Sequence, residues 1–226
     1  MGTMRHEFKH LIHMGDYLAI RSRLKHIMKQ DAHVDQTGHY FIRSLYFDNY
    51  ADKALMEKLN GFSVREKYRL RYYNYDGRFV NLEKKSKNNQ LGTKDSATLT
   101  REQCQQLLDG HWEFMRNSNN PVLIEFYSKL YSQQLRPKTI VDYIREPYVY
   151  EAGNVRVTFD SQIRTGLYSQ DFFSDAVPTM PALEKGYFIM EVKYDNYLPE
   201  VIASAIQTGQ RQSSAFSKYA ACRQYE

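Results

Sequence analysis

Between residues 63 and 75 the chain alternates with a period of two. Arg65, Lys67, Arg69 and Arg71 fall on one side, and Val64, Tyr68, Leu70 and Tyr72 on the other. Side chains alternate across a strand, so this period predicts a β-strand with one apolar and one cationic face. Four further segments repeat the arrangement. Residues 78–87 set Glu83, Lys85 and Lys87 against Val80, Leu82 and Lys84, and residues 4–10 set Arg5, Glu7 and Lys9 against Met4, His6 and Phe8. Residues 154–164 give Arg156, Thr158 and Asp160 opposite Val155, Val157 and Phe159, while 187–194 give Glu191 and Lys193 opposite Phe188, Met190 and Val192. Residues 40–48 and 139–143, rich in β-branched and aromatic side chains, complete the predicted strands.

Helical spacing marks other stretches. Leu18, Ile20, Leu24 and Ile27 predict a helix over 17–29, and Ala54, Leu55 and Leu59 another over 51–59. Thr100 and Gln103 have capping-box spacing for a helix over 101–108 that Gly110 stops. Pro121 suits the first turn of a helix over 122–133. Residues 199–207 and 214–223 read as the last two helices, and 87–93 and 169–185 as loops. Strands scattered among helices, rather than alternating strictly with them, point to an antiparallel α+β fold in one domain spanning 1–226. The apolar strand faces need cover, and the helices can supply it. That arrangement leaves a basic face inside, and a sheet that closes on itself would enclose a cationic tunnel.

Composition limits the function classes. The chain has 226 residues, 42% hydrophobic and 25% charged, with a formal net charge of +5. It is long enough to bury a core without staples. No apolar run approaches the roughly 18 residues of a membrane span, and the N-terminus lacks the apolar centre of a signal peptide. Cys104 and Cys222 lie far apart and form no metal or disulfide pattern, so a soluble, cytoplasmic protein is expected. Its histidines are scattered, and phosphate-loop, dinucleotide and nucleophile-elbow motifs are absent.

A charged strand face ordinarily looks at solvent. Like charges opposite one another cost stability, however, and here cations dominate three faces. Guanidinium forks and lysines held on a rigid sheet suit a chain of phosphates. Tyr72, Tyr73 and Tyr75 could stack bases, but tyrosines at sheet spacing usually pack, so no nucleic-acid partner is expected. From spacing alone Glu191 is as consistent with a salt bridge to Lys193 as with a Mg²⁺ ligand among phosphates.

Seven short motifs stand in order along the chain: Arg5-His6-Glu7-Phe8-Lys9, Ser44-Leu45-Tyr46-Phe47-Asp48, Lys67-Tyr68-Arg69-Leu70-Arg71, Leu82-Glu83-Lys84-Lys85, Arg156-Val157-Thr158-Phe159-Asp160, Met190-Glu191-Val192-Lys193-Tyr194 and Ser217-Lys218-Tyr219. With them the chain resembles the VTC domain, the polyphosphate polymerase branch of the CYTH-like triphosphate tunnel metalloenzymes, over residues 4–222. The resemblance implies an antiparallel β-barrel tunnel flanked by helices. It also implies transfer of the ATP γ-phosphate onto inorganic polyphosphate with Mn²⁺ or Mg²⁺. Lys9, Arg69, Arg71, Lys85, Arg145 and Arg156 would be tunnel cations, with Lys67 in the same motif as Arg69 and with Lys94 reaching in from a loop. Glu191 resembles the metal-binding glutamate, Lys193 lies beside it, and Ser217 and Lys218 resemble phosphate contacts near the mouth. The hydrolase and cyclase branches begin Glu-x-Glu-x-Lys, whereas Arg5 stands at the first acidic position here. A tri- or polyphosphate hydrolase and a non-catalytic polyphosphate or nucleotide binder are the alternatives. The chain carries no membrane segment of its own, which leaves a membrane partner open.

Overall fold

The charge-alternating stretch forms strand β4 (Val64–Tyr73), paired in register with β5 (Asp76–Asn88) so that Arg69 lies opposite Glu83 and Lys67 opposite Lys85. The computed structural model describes residues 5–89, 91–169, 171–207 and 216–225. Around this hairpin lie β1 (His6–His13), α1 (Met14–Ile27), β2 (Lys29–Gln30), β3 (Tyr40–Asp48) and α2 (Lys53–Leu59). After it come β6 (Leu91–Thr100), α3 (Arg101–Leu108), α4 (Pro121–Ser132), β7 (Arg136–Tyr150) and β8 (Val155–Thr165). The chain ends with β9 (Met180–Pro181), β10 (Tyr187–Tyr194), α5 (Glu200–Ala205) and α6 (Lys218–Cys222).

The strands make one antiparallel sheet in the order β1-β10-β8-β7-β3-β4-β5-β6, with β2 and β9 as short additions on β7 and β8. The sheet curls until its edges approach. An isolated bridge between Arg5 and Gly92 joins them, and Glu7 on β1 meets Lys85 on β5 at 2.8 Å. No continuous ladder closes the seam among the described residues, so the expected barrel is a rolled sheet held at its edges by one bridge and an ion pair. None of the described helices is long and apolar enough to cross a membrane.

The helices cover the outer, apolar face, as the strand pattern requires. Leu45, Phe47, Tyr68, Leu70 and Leu82 pack with Leu107 of α3 and Phe126 of α4. Val157, Phe159 and Val192 pack with Ile20 and Leu24 of α1 and Ile202 of α5. A third core lies on the inner face, where Tyr46, Val141, Tyr143 and Ile189 receive Tyr219 and Cys222 of α6. Helix α3 has the expected cap: the Thr100 hydroxyl accepts from the Gln103 amide at 3.2 Å, and the Thr100 amide donates to the Gln103 side chain at 3.0 Å.

Three sequence expectations are corrected. The strand expected over 139–143 is a third of β7, which runs on because β3 and β8 pair it on both sides. The loop expected over 87–93 holds the end of β5 and the start of β6 instead. Strand β6 is mostly polar and alternates weakly, and β5 supplies its ladder. The helix expected over 214–223 begins at Lys218; residues 214 and 215 lie outside the described residues.

Asp48 ties α2 and α6 to the sheet. Its carboxylate accepts from the amides of Asn49 and Ala54 at 2.9 Å, from the Leu55 amide at 3.2 Å and from the Tyr219 hydroxyl at 2.7 Å. Replacing it leaves buried donors without partners. Asp48→Ala is expected to cost about 2–4 kcal/mol and Tyr219→Phe about 1 kcal/mol, read from urea denaturation. Equal costs for the two variants would contradict this account.

Candidate functional site

Strand register fixes which side chains share the inner face. One row crosses β6, β5 and β4 as Lys94, Lys85 and Lys67, and the next crosses β5, β4 and β3 as Glu83, Arg69 and Tyr46. A third runs Asn81, Arg71, Ser44. On the other wall Arg145 lies opposite Asp160, Lys9 and Thr158 flank Glu191, and Glu7 and Arg156 flank Lys193. The inner face is therefore lined by cations with a few carboxylates set among them.

Each carboxylate serves several cations. Glu83, buried, lies 2.6 Å from Arg69, 3.2 Å from Lys94 and 3.5 Å from Arg71. Glu191, also buried, lies 2.5 Å from Lys193 and 3.4 Å from Lys9. Glu7 joins Lys9 at 2.6 Å to Lys85 at 2.8 Å. Asp160 takes the Arg145 guanidinium through both oxygens at 2.6 and 2.8 Å and also pairs with Lys218. Lys67 forms no ion pair among the described residues and lies 5.3 Å from the centre of the Tyr46 ring.

Hydroxyls hold the arginines alongside the shared carboxylates. The Tyr46 hydroxyl accepts from Arg69 at 2.7 Å and the Tyr143 hydroxyl from Arg71 at 3.0 Å, while Ser44 Oγ accepts from Arg71 Nε at 3.0 Å. Tyr40 accepts from Arg156 at 2.7 Å. While the hydroxyl keeps its proton, such a bond orients a guanidinium without neutralising it.

The pKa shifts report the same crowding. Burial would raise the Glu83 carboxyl, but Arg69, Arg71 and Lys94 hold it well below the usual range. Burial would likewise raise Glu191, and Lys193 and Lys9 hold it far down. Burial, then the charges of Lys9 and Lys193, push Lys85 down to about 7. Burial lowers Lys67 to about 8. Tyr46 would be raised by burial, yet Arg69, Lys67 and Arg71 bring its phenol down to about 7.

The structure brings Lys9, Lys67, Arg69, Arg71, Lys85, Lys94, Arg145, Glu191, Lys193 and Lys218 together around this inner face. Lys94 stands on β6, not on a loop. Arg156 lies further out, paired with Asp31 at 2.9 Å, which brings Asp31 into the charge balance of the inner face. Ser217 is the N-cap of α6, its hydroxyl accepting from the Ala220 amide at 3.4 Å. The tyrosines were missed, although Tyr40, Ser44 and Tyr46 share the period-two face of β3. Among the described residues no three His, Cys, Asp or Glu side chains cluster as a metal cage. Glu191 and Glu7, both on Lys9, suit a hard cation that takes most of its oxygens from phosphates and water.

Solved structures share this architecture. HpAC1 of Hippeastrum, described as an adenylyl cyclase with a dominant triphosphatase activity, aligns with a TM-score of 0.56 at 12% identity, covering 100% of this chain and 97% of that one. The PH1012 protein of Pyrococcus horikoshii OT3 aligns with a TM-score of 0.50 at 13% identity, covering 95% and 97%. At this identity the likeness is one of fold. Among curated proteins, none matches. The VTC domain model matches residues 4–225, and with its motifs placed on the walls of the rolled sheet the chain belongs to the VTC domain family.

Proposed function

We propose that the chain is a divalent-metal-dependent polyphosphate polymerase that transfers the γ-phosphate of ATP onto a polyphosphate chain inside the tunnel. The observation that carries this reading is the excess of cations over carboxylates on one rigid inner face. Phosphoryl transfer needs in-line positioning and neutralisation of charge, not a protein nucleophile. A terminal polyphosphate oxygen attacks the γ-phosphorus, the bond from that phosphorus to the β,γ-bridging oxygen breaks, and ADP leaves with the bond's electron pair. The attacking oxygen is already anionic, so no general base is required.

Arg69, Arg71 and Lys85 line one wall and Lys9, Arg145 and Lys193 the other, so a phosphate chain between them meets donors on both sides. Glu191, with Glu7 beside it, would hold Mn²⁺ or Mg²⁺, which supplies further neutralisation of the nucleotide phosphates. Arg5 stands where the hydrolase and cyclase branches carry their first glutamate. Here it is turned to Asp195 at 2.9 Å, which leaves fewer metal ligands and favours transfer over two-metal hydrolysis. The triphosphatase activity described for HpAC1 favours the second reading, a tri- or polyphosphatase on the same tunnel.

With ATP and Mn²⁺ the protein is expected to form ADP and a long anionic polymer, read on a gel stained for polyphosphate. Arg71→Ala and Glu191→Ala should each reduce this at least about 100-fold while leaving the fold intact by circular dichroism. Inorganic phosphate without polymer would assign the hydrolase, and tight binding without turnover a binding module.

The pKa shifts give a second expectation. As pH rises through 7 to 8, Lys85 and Lys67 lose protons and Tyr46 ionises, and each change removes positive charge from the tunnel. A bound polyanion favours the protonated forms, so binding takes up protons and weakens as pH rises. Between about pH 6.5 and 8.5, tripolyphosphate affinity should fall about tenfold relative to Lys85→Met, a comparison that cancels titration of the ligand itself. Parallel pH profiles for the two proteins would refute this coupling.

A further inference from the structure

The inward row of β4 and β5 does not stop at Lys67 and Lys85. Two residues further along each strand, on the same face, Arg65 lies directly opposite Lys87. Both were on the charged faces read from the sequence, and neither has a place among the tunnel cations the family resemblance supplies. Their surroundings differ from every inner row. Glu83 serves the Arg69 row and Glu7 the Lys85 row, but among the described residues no carboxylate pairs with Arg65 or Lys87. The Arg65 guanidinium donates a hydrogen bond to the Phe62 carbonyl.

Both side chains line a cavity of about 650 Å³ with Asn88, Thr93, Lys53 and Lys129. The acids of that cavity pair with other lysines and not with Arg65 or Lys87: Glu57 faces Lys53 at 3.7 Å, and Glu66 is taken by Lys129 and, at 3.4 Å, by Lys84. Opposite Lys87 on β6 stands Gly92, whose missing side chain leaves the row open. Burial, the Arg65 charge and the Lys9 charge lower the Lys87 pKa against an opposing pull from Glu7, and Lys58 is lowered by burial and then by Arg65 and Lys87. Like charges directly opposite on a sheet cost stability. A pair of cations without an ion-paired carboxylate, continuing a phosphate-suited row, is the arrangement a bound anion would relieve.

We infer that Arg65 and Lys87 form a second polyanion subsite, which grips a polyphosphate chain where it extends beyond the tunnel cations and makes the protein favour long chains over triphosphate. This rests on the phosphate-binding reading of the tunnel given above. A triphosphate seated between Arg69 and Arg71 lies four to six residues, about 13–20 Å, along β4 from Arg65, whereas a longer chain lies along the strands and meets the pair.

The test measures binding of tripolyphosphate and of long-chain polyphosphate to wild type and to the double variant Arg65→Gln, Lys87→Gln, over a series of salt concentrations. Long-chain affinity should fall about tenfold in the variant, with its log–log salt slope shallower by about one. Tripolyphosphate affinity should stay within about twofold, which also shows that the variant is folded. An equal loss for both ligands, or no loss for either, would overturn the subsite. So would an equal loss for a single-stranded oligonucleotide, which would mark a non-selective polyanion surface. Arg71→Ala separates the two levels of the argument, because it should weaken both phosphate ligands. If wild type binds neither, the tunnel reading itself falls; if wild type binds both and only the double variant behaves like wild type, the subsite alone falls.

Discussion

Crowding positive charge onto one face of a sheet is the constraint on which the rest of this structure depends. Two unit charges a few ångströms apart repel by about 1 kcal/mol in water and by several times more near protein. Neighbouring rows on β4 and β5 place such charges side and end. The fold meets that cost with sparse, shared carboxylates: Glu83 for Arg69, Arg71 and Lys94, Glu191 for Lys9 and Lys193, Glu7 for Lys9 and Lys85, Asp160 for Arg145 and Lys218. One carboxylate per cation would give a stable and inert interior. Sharing leaves a positive remainder, and that remainder is what a phosphate chain can use.

Rigidity comes from the opposite face. The strands that point Arg69, Arg71 and Lys85 inward point Tyr68, Leu70 and Leu82 outward, into the core under α3 and α4. The strands that carry Glu191 and Arg156 bury Val192 and Val157 beneath α1 and α5. Two helical covers thus hold the wall from outside, so its cations need not collapse on one another to bury apolar surface. Where the inner face is itself apolar, at Val141 and Ile189, α6 fills it with Tyr219 and Cys222 and brings Lys218 to Asp160. The same short helix therefore completes a core and adds a cation.

Much of this was legible because charge and period coincide. In β4 four cations at every second position fix both the element and its inward face, and β5, β8 and β10 repeat the signal. Strand β6 escaped because Gly92, Thr93, Ser96 and Thr98 carry no hydrophobic alternation; its strand character comes from β5 and not from its own residues. Its misreading put Lys94 on a loop. The net charge of +5 concealed the tunnel because acids inside and outside cancel in a sum. The pairing of Asp31 with Arg156 was likewise not legible, since contacts between residues 125 apart leave no local mark in a sequence.

The tyrosines are the part that period and charge could not supply, and they explain how the arginines remain useful. A carboxylate paired closely with Arg71 alone would orient it and cancel its charge, but Glu83 stands 3.5 Å off and is shared with Arg69 and Lys94. A phenol and a serine hydroxyl orient it and leave the charge in place, as Tyr143 and Ser44 do. Arg69 has both kinds of partner, Glu83 on one side and Tyr46 on the other. Tyr46 also gauges the result. Burial alone would hold its phenol above the ordinary value near 10, yet Arg69, Lys67 and Arg71 bring it to about 7. The charges of Arg69, Lys67 and Arg71 favour the anionic form of a group placed among them, and an anionic chain entering between these walls meets those same charges.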